Sequence, residues 1–561
     1  MGGRAVFRKK TPSLKQTPSR KRERSTAPLL AAVGISASLI AAPFGTATAH
    51  SAPAPAPAPV PEVKWETCPA TVDAPGAECG QVDVPMRYGD PKSPQISVGF
   101  VRVPAAQPAE KRGVLFSNPG GPGGDAYTYV GSDSLGFTWP KEIRNEWDMV
   151  AVQPRGLQHS TPLVCEPAAP ANQLDAMSSQ LESTVNAGAV SRQMCQKEHP
   201  GLAESITTEN NARDWETVRR ALGYDAVSIM GLSYGTYLGS AYASMFPDHT
   251  DKVVLDSAMN PDQQWNKLMI EQEGGYERAL HDYFDYVARN DATYHMGDTP
   301  LKAYQYWSAK VVQETGTNPT VVPPPARVGD LPPGLEFAGQ AGADAMTATG
   351  KARVEADGIV SRMLKPGATQ FNSQLLQQTK LIIPAPSDWD TLARMTNGTF
   401  KPKSTPSKPV VDELMGADKT RLNLLFIQIC NENVTPADYS MIPRAIWTNN
   451  ISQDVFAAAH TLIGSGLACN GAAPVAKPVP LNGEGLAARP LQINATGDPQ
   501  TPYSGRGVIQ KDMGTQLVTV HGPGHGHVAR GNAAVDRIVV EYLRTGKVNQ
   551  HDAPGYFDQQ R

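Results

Sequence analysis

Val227-Ser228-Ile229-Met230-Gly231-Leu232-Ser233-Tyr234-Gly235 is the stretch on which the reading of this chain turns. It is largely apolar up to Gly231, as a strand buried on both faces should be. It ends in G-x-S-x-G and runs on into Thr236-Tyr237-Leu238-Gly239-Ser240-Ala241-Tyr242-Ala243, whose small residues suit a close-packed helix. A serine on so sharp a strand-to-helix turn is held in strained backbone angles, and Gly231 and Gly235 remove the side chains that would clash around it. The Ser233 hydroxyl is thereby lifted clear of the sheet, in front of a helix N-terminus that favours developing negative charge. A bare G-x-S-x-G also occurs as a plain strand–helix turn, so the reading depends on partners elsewhere in the chain.

Those partners follow in the order serine, acid, histidine. Leu491-Gln492-Ile493-Asn494-Ala495-Thr496 reads as a strand, and the loop after it carries Asp498. Leu517-Val518-Thr519-Val520 reads as the next strand, followed by His521-Gly522-Pro523-Gly524-His525-Gly526-His527. Acid and histidine thus sit at the C-terminal ends of consecutive strands, the edge where open α/β sheets bind ligands. His525 is preferred over His521 and His527 because glycines flank it on both sides. Asp498 is preferred over Asp256, which follows the strand after the elbow helix and reads as a loop-capping carboxylate. In this arrangement His525 takes the Ser233 proton, and Asp498 orients and stabilises the imidazolium.

An oxyanion site is expected upstream. The strand Gly113-Val114-Leu115-Phe116-Ser117 opens into Asn118-Pro119-Gly120-Gly121-Pro122-Gly123-Gly124, with four glycines in seven residues. Such a loop lets backbone N–H groups approach a substrate oxygen. Gly121, with Gly120 as the near alternative, and Tyr234 are the expected donors. The fold class implied is α/β, an α/β-hydrolase fold with a mostly helical lid inserted between the two halves of the catalytic domain.

N-P-G-G-P-G-G at 118–124, Q-P-R-G at 153–156, G-L-S-Y-G-T-Y-L-G at 231–239, G-D-P-Q-T-P at 497–502 and G-H-G at 524–526 occur in one order. Together, over about residues 62 to 545, they resemble the secreted actinobacterial tripeptidyl aminopeptidases among the prolyl-aminopeptidase-like α/β-hydrolases. The resemblance implies a metal-free, cofactor-free serine exopeptidase that removes short peptides from free N-termini. The chain departs from the family at Gln153 and Gln158, where the loop is usually D-P-R-G-x-G-x-S.

Domain organisation follows the motifs. Residues 1–28 carry nine basic side chains and one acidic, Leu29–Ala42 is apolar, and Ala47-Thr48-Ala49 is a small-residue cleavage site. This reads as a signal peptide over 1–49, too short in its apolar run for a comfortable membrane span. Residues 50–61 form an Ala/Pro-rich linker. The hydrolase core is expected over 62–260 and 480–545, the lid over 261–479 and a tail over 546–561. Helical patterns at Ala212–Leu222, Gly274–Arg289 and Pro300–Glu314 fit this division, the last with Thr299 as N-cap. A monomer without stable membrane insertion is expected.

The whole chain has 51 basic and 54 acidic side chains, and removing the leader brings the net charge from −3 to near −11. That excludes nucleic acid as an evident partner. Six cysteines at 68, 79, 165, 195, 430 and 469 in an exported chain suggest disulfides. Fifteen pairings are possible, and sequence proximity suggests Cys68–Cys79, Cys165–Cys195 and Cys430–Cys469.

An exopeptidase needs a closed cleft and a carboxylate for the substrate's α-ammonium group. Glu432 in Asn431-Glu432-Asn433 is the candidate, its competing reading being an exposed lid charge.

Overall fold

The computed structural model describes residues 60–559 apart from 167–168, 366 and 403–404. The leader and nearly all of the Ala/Pro-rich stretch fall outside the described residues.

Ten strands form one sheet in the order β1-β2-β3-β5-β4-β6-β7-β8-β9-β10. The strands are β1 (Val63–Glu66), β2 (Glu78–Pro85), β3 (Gln95–Val103), β4 (Gly113–Asn118), β5 (Trp147–Val152), β6 (Val227–Leu232), β7 (Thr250–Asp256), β8 (Leu491–Gly497), β9 (Gln516–Pro523) and β10 (Asp552–Pro554). β1 to β3 pair antiparallel, as does β3 with β5, and every other pairing is parallel. The first three strands make an antiparallel flank that the motif-based reading did not resolve. At the other edge the expected C-terminal tail adds a strand, because Asp552–Pro554 pairs with Thr519–His521.

Both faces of the parallel strands are covered, which explains their nearly unbroken apolar sequences. Successive side chains point to opposite faces. Phe116, Val150 and Ile229 pack against α2 (Thr208–Ala221) and α3 (Tyr234–Met245), with Trp215, Tyr237 and Tyr242 in the layer. Leu115, Met149, Met230 and Val254 face the other side, against α1 (Ala126–Gly131) and α9 (Ala533–Thr545).

Between β7 and β8 the chain is helical. Its main helices are α4 (Asn266–Arg289), α5 (Pro300–Thr315), α6 (Gly339–Leu364), α7 (Gln374–Ile382) and α8 (Lys408–Glu432). Thr299 caps α5 by accepting from the Lys302 N–H at 3.3 Å. This insertion has its own apolar centre around Tyr283, Phe284, Trp307 and Trp389. The end of α8 joins the main core instead, through Leu424, Ile427 and Ile429. Three disulfides, Cys68–Cys79, Cys165–Cys195 and Cys430–Cys469, use all six cysteines.

Candidate active site

Ser233 lies between β6 and α3 with φ 59° and ψ −124°, a conformation costly for any residue with a side chain. Its neighbours make that turn possible. A Cβ on Gly231 would lie 2.2 Å from the Gly235 carbonyl oxygen, and one on Gly235 would lie 2.5 Å from that of Asn118. The Ser233 hydroxyl makes no capping bond to α3. From Val227 to Ala243, Ser233 is the one residue that is not buried. The elbow therefore presents a single side chain at the C-terminal edge of the sheet.

The acid and the histidine meet on a loop that passes the residue before the elbow serine, where a Cβ on Gly526 would lie 3.0 Å from Leu232 Cδ1. His525 Nδ1 lies 3.0 Å from both Asp498 carboxylate oxygens, and both side chains are buried. Asp498 also accepts the backbone N–H groups of Gln500 and Thr501 at 2.8 and 2.9 Å and the Thr501 hydroxyl at 2.8 Å. Burial alone would raise its pKa. The facing His525 and these donors outweigh burial and hold the carboxyl below the ordinary aspartate range, so it stays ionised.

Asp256 serves a different purpose. Its Oδ2 accepts the backbone N–H groups of His527 and Val528, fastening the histidine loop to the end of β7. Ser257 adds a third tie, its hydroxyl accepting the Gly526 N–H at 2.8 Å. From the insertion, the Pro384 carbonyl accepts the His525 N–H at 2.7 Å. His521 is exposed and pairs with Asp552 at 2.7 Å. His527 is buried, and that burial pushes its pKa down. Of the three histidines, His525 alone contacts Asp498 through a ring nitrogen.

The glycine loop sits against the elbow. A Cβ on Gly120 would lie 2.4 Å from the Leu232 carbonyl and 2.8 Å from Ser233 Cβ. The Gly120 N–H is spent on the Asn118 side chain at 2.9 Å, so the near alternative to Gly121 is already engaged. Helix α8 covers this loop. Leu424 Cδ2 is 3.1 Å from where a Gly123 Cβ would stand.

One and two turns beyond Leu424, the same helix face carries Gln428 and Glu432. Gln428 donates to the Tyr234 hydroxyl at 2.5 Å, and that hydroxyl lies 2.9 Å from Thr208 Oγ1. One Glu432 oxygen accepts the Thr208 backbone N–H; the other is buried with no hydrogen-bond partner among the described residues. Burial pushes the Glu432 pKa up to about 7, with the Thr208 N–H and hydroxyl pulling the other way. Glu432 is thus buried beside the elbow, and the reading of it as an exposed lid charge is corrected: the last turns of α8 belong to the core.

The Q-P-R-G loop explains its own departure from the family pattern. Gln153 accepts from the Ala126 N–H at 2.8 Å and donates to Asp125 Oδ1 at 2.8 Å and to the Gln158 carbonyl at 2.9 Å. An aspartate there could donate to neither acceptor. Gln158 and His159 both reach Glu413 on α8, tying the insertion to the core. Sequence reasoning passed over Thr501, Ser257 and Gln428. Thr501 had a local signal, since an aspartate accepting the N–H groups two and three residues on is a recurrent turn. The other two arrive from distant segments.

Comparison with known proteins agrees with this fold. Residues 114–342 match the alpha/beta hydrolase fold family and residues 455–554 the TAP-like protein family. The chain is 34% identical to the tripeptidyl aminopeptidase of Streptomyces coelicolor over 44% of its own length and 47% of that protein. It thus spans about half the length of the tripeptidyl aminopeptidases it matches. It is 26% identical to Serine protease Hip1 of Mycobacterium tuberculosis over 86% of this chain and 89% of the other. It is 28% identical to Carboxylesterase B of the same organism over 86% and 88%. These matches mark the chain as an α/β-hydrolase that resembles the tripeptidyl aminopeptidases.

Proposed function

We propose that the protein is an exported serine exopeptidase that releases short peptides, tripeptides by its family resemblance, from free N-termini. Ser233 Oγ attacks the carbonyl carbon of the scissile amide while His525 takes its proton. The oxyanion accepts hydrogen bonds from the Gly121 and Tyr234 N–H groups. Collapse of the tetrahedral species breaks the C–N bond, His525 protonates the leaving amine, and water then hydrolyses the acyl-enzyme by the same path. The helical insertion acts as the lid. A leader ending at Ala49 fits a chain whose six cysteines are all bridged.

The observation that favours an exopeptidase over a general acyl hydrolase is the Glu432 carboxylate, buried beside Tyr234 with one oxygen unpartnered. A buried carboxylate oxygen without a donor costs several kcal/mol, and a substrate ammonium group removes that cost. Blocked peptides bring no such cation. The second reading, an esterase, is favoured by the likeness to Carboxylesterase B and uses the same triad.

The test compares a tripeptidyl anilide with a free N-terminus, its N-acetylated twin and a short acyl ester, with Ser233→Ala as the blank. Strong preference for the free peptide in kcat/KM is expected. Equal cleavage of the free and acetylated peptides rejects the exopeptidase, and turnover of the ester alone supports the esterase.

A further inference from the structure

Around Tyr234 and Tyr237, the first two aromatic residues of α3, the interior holds an unusual number of unmet polar atoms. Three are donors: Asn211 Nδ2, Gln264 Nε2 and Trp265 Nε1. Four are acceptors: Asn211 Oδ1, Gln264 Oε1, Gln428 Oε1 and Glu432 Oε2. Native interiors leave few such groups, and each has an explanation. These share one place. Asn211 lies beside the Tyr234 hydroxyl and Gln264 beside that of Tyr237, neither completing a well-formed hydrogen bond. The Trp265 ring is 5.8 Å from that of Tyr234, and Gln428 bonds its hydroxyl. The Glu432 carboxyl acts on both tyrosines, so the cluster surrounds the proposed ammonium site, and Tyr234 follows Ser233 in the chain.

The mixture of donors and acceptors describes its ligand. Asn211 and Gln264 each offer an unmet N–H and an unmet C=O, the complement of a secondary amide. An ester of the same size brings acceptors alone and leaves the Asn211, Gln264 and Gln428 oxygens unmet.

We infer that Asn211, Gln264, Trp265 and Gln428 form a subsite that reads the main-chain amides of the substrate between its ammonium group and the scissile bond. The inference rests on the exopeptidase reading, and the substrate class it names is an unmodified α-peptide. Because these atoms are shielded in the present arrangement, admitting the peptide requires α8, which carries Gln428 and Glu432, to lift from the elbow.

The test uses a tripeptidyl anilide with a free N-terminus and two analogues in which each non-scissile amide in turn is an ester. Ester replacement keeps the ammonium group and the scissile bond and deletes one N–H donor. An unmet buried acceptor should lower kcat/KM roughly ten- to a hundredfold for at least one analogue. Gln264→Met and Asn211→Leu should lower turnover of the parent and bring its ratio to that analogue towards one. Labelling of Ser233 by a fluorophosphonate, together with an unchanged melting profile, verifies that each variant is folded. If both analogues match the parent in the native enzyme while the acetylated peptide is still rejected, the amide-reading subsite is wrong and the exopeptidase stands. If free and acetylated peptides are cleaved alike, the underlying reading has failed instead. A ratio unchanged in both folded variants also overturns the assignment.

Discussion

The Asp256 carboxylate holds the backbone N–H groups of His527 and Val528, so the strand after the elbow helix carries the loop that delivers His525. The two aspartates at the sheet edge therefore divide the labour: Asp498 addresses the imidazole and Asp256 the backbone beneath it. Asp498→Asn should lower kcat about 10⁴-fold, because an amide favours the wrong tautomer. Asp256→Asn keeps an oxygen that can accept and should cost about tenfold or less, with a measurable loss of thermal stability. Steady-state kinetics and melting of both variants check this, and the reverse ranking would reassign the acid.

Thr501 is expected to matter although it touches no substrate. Its hydroxyl donates to Asp498 Oδ2 at 2.8 Å and lies 3.5 Å from His525 Nδ1. Thr501→Val removes a hydrogen bond to a buried charge, worth about 1.5–3 kcal/mol. A roughly ten- to hundredfold fall in kcat with little change in KM is expected, and Thr501→Ser should restore most of it. Failure of serine to rescue would point to packing by the methyl group.

Glu432 should leave a mark on the pH dependence of stability. Its pKa is raised to about 7 in the folded protein, against roughly 4.3 when unfolded. Between those values the folded state holds the proton and the unfolded state has released it. The contribution of this group to stability is therefore complete below about pH 4 and is lost as pH rises through 7, by about 4 kcal/mol in all. Denaturant unfolding from pH 5 to 8 should show native stability declining relative to Glu432→Gln. Parallel curves would mean that the carboxyl is better solvated than its surroundings imply.

Cys430–Cys469 anchors the end of α8, two residues before Glu432, and closes a loop with a sequence separation of 39. A loop of that length restrains the unfolded chain by about 4 kcal/mol in the entropic model. Replacing both cysteines by serine should lower the unfolding free energy by about 2–4 kcal/mol and weaken the preference for free N-termini. Thiol titration of the native protein should find no reactive cysteine, consistent with three bridges.

Much of this was legible in the chain itself. The run from Val227 to Gly235 and the glycine loop at 118–124 are local grammar: backbone strain and close approach demand glycine at particular positions, and those demands can be read in order. Asp498 and His525 could be named because each follows its own strand. What local grammar could not supply was contact between segments far apart in sequence. Gly120 and Gly121 are equivalent as letters, and only the Asn118 side chain, folded back on Gly120, separates them. Asp256 and Asp498 both end strands, and only tertiary packing turns one to the backbone and the other to the ring. Glu432 reads as a charge at a helix end, and burial of the last turns of α8 against Thr208 and Tyr234 made it an interior carboxylate. Sequence alone determined the strands that carry the motifs, the turns after them and the order of the chemical groups, because these rest on each residue's own backbone and polarity. Tertiary structure decided burial, partner and proton affinity, because those belong to the space between segments.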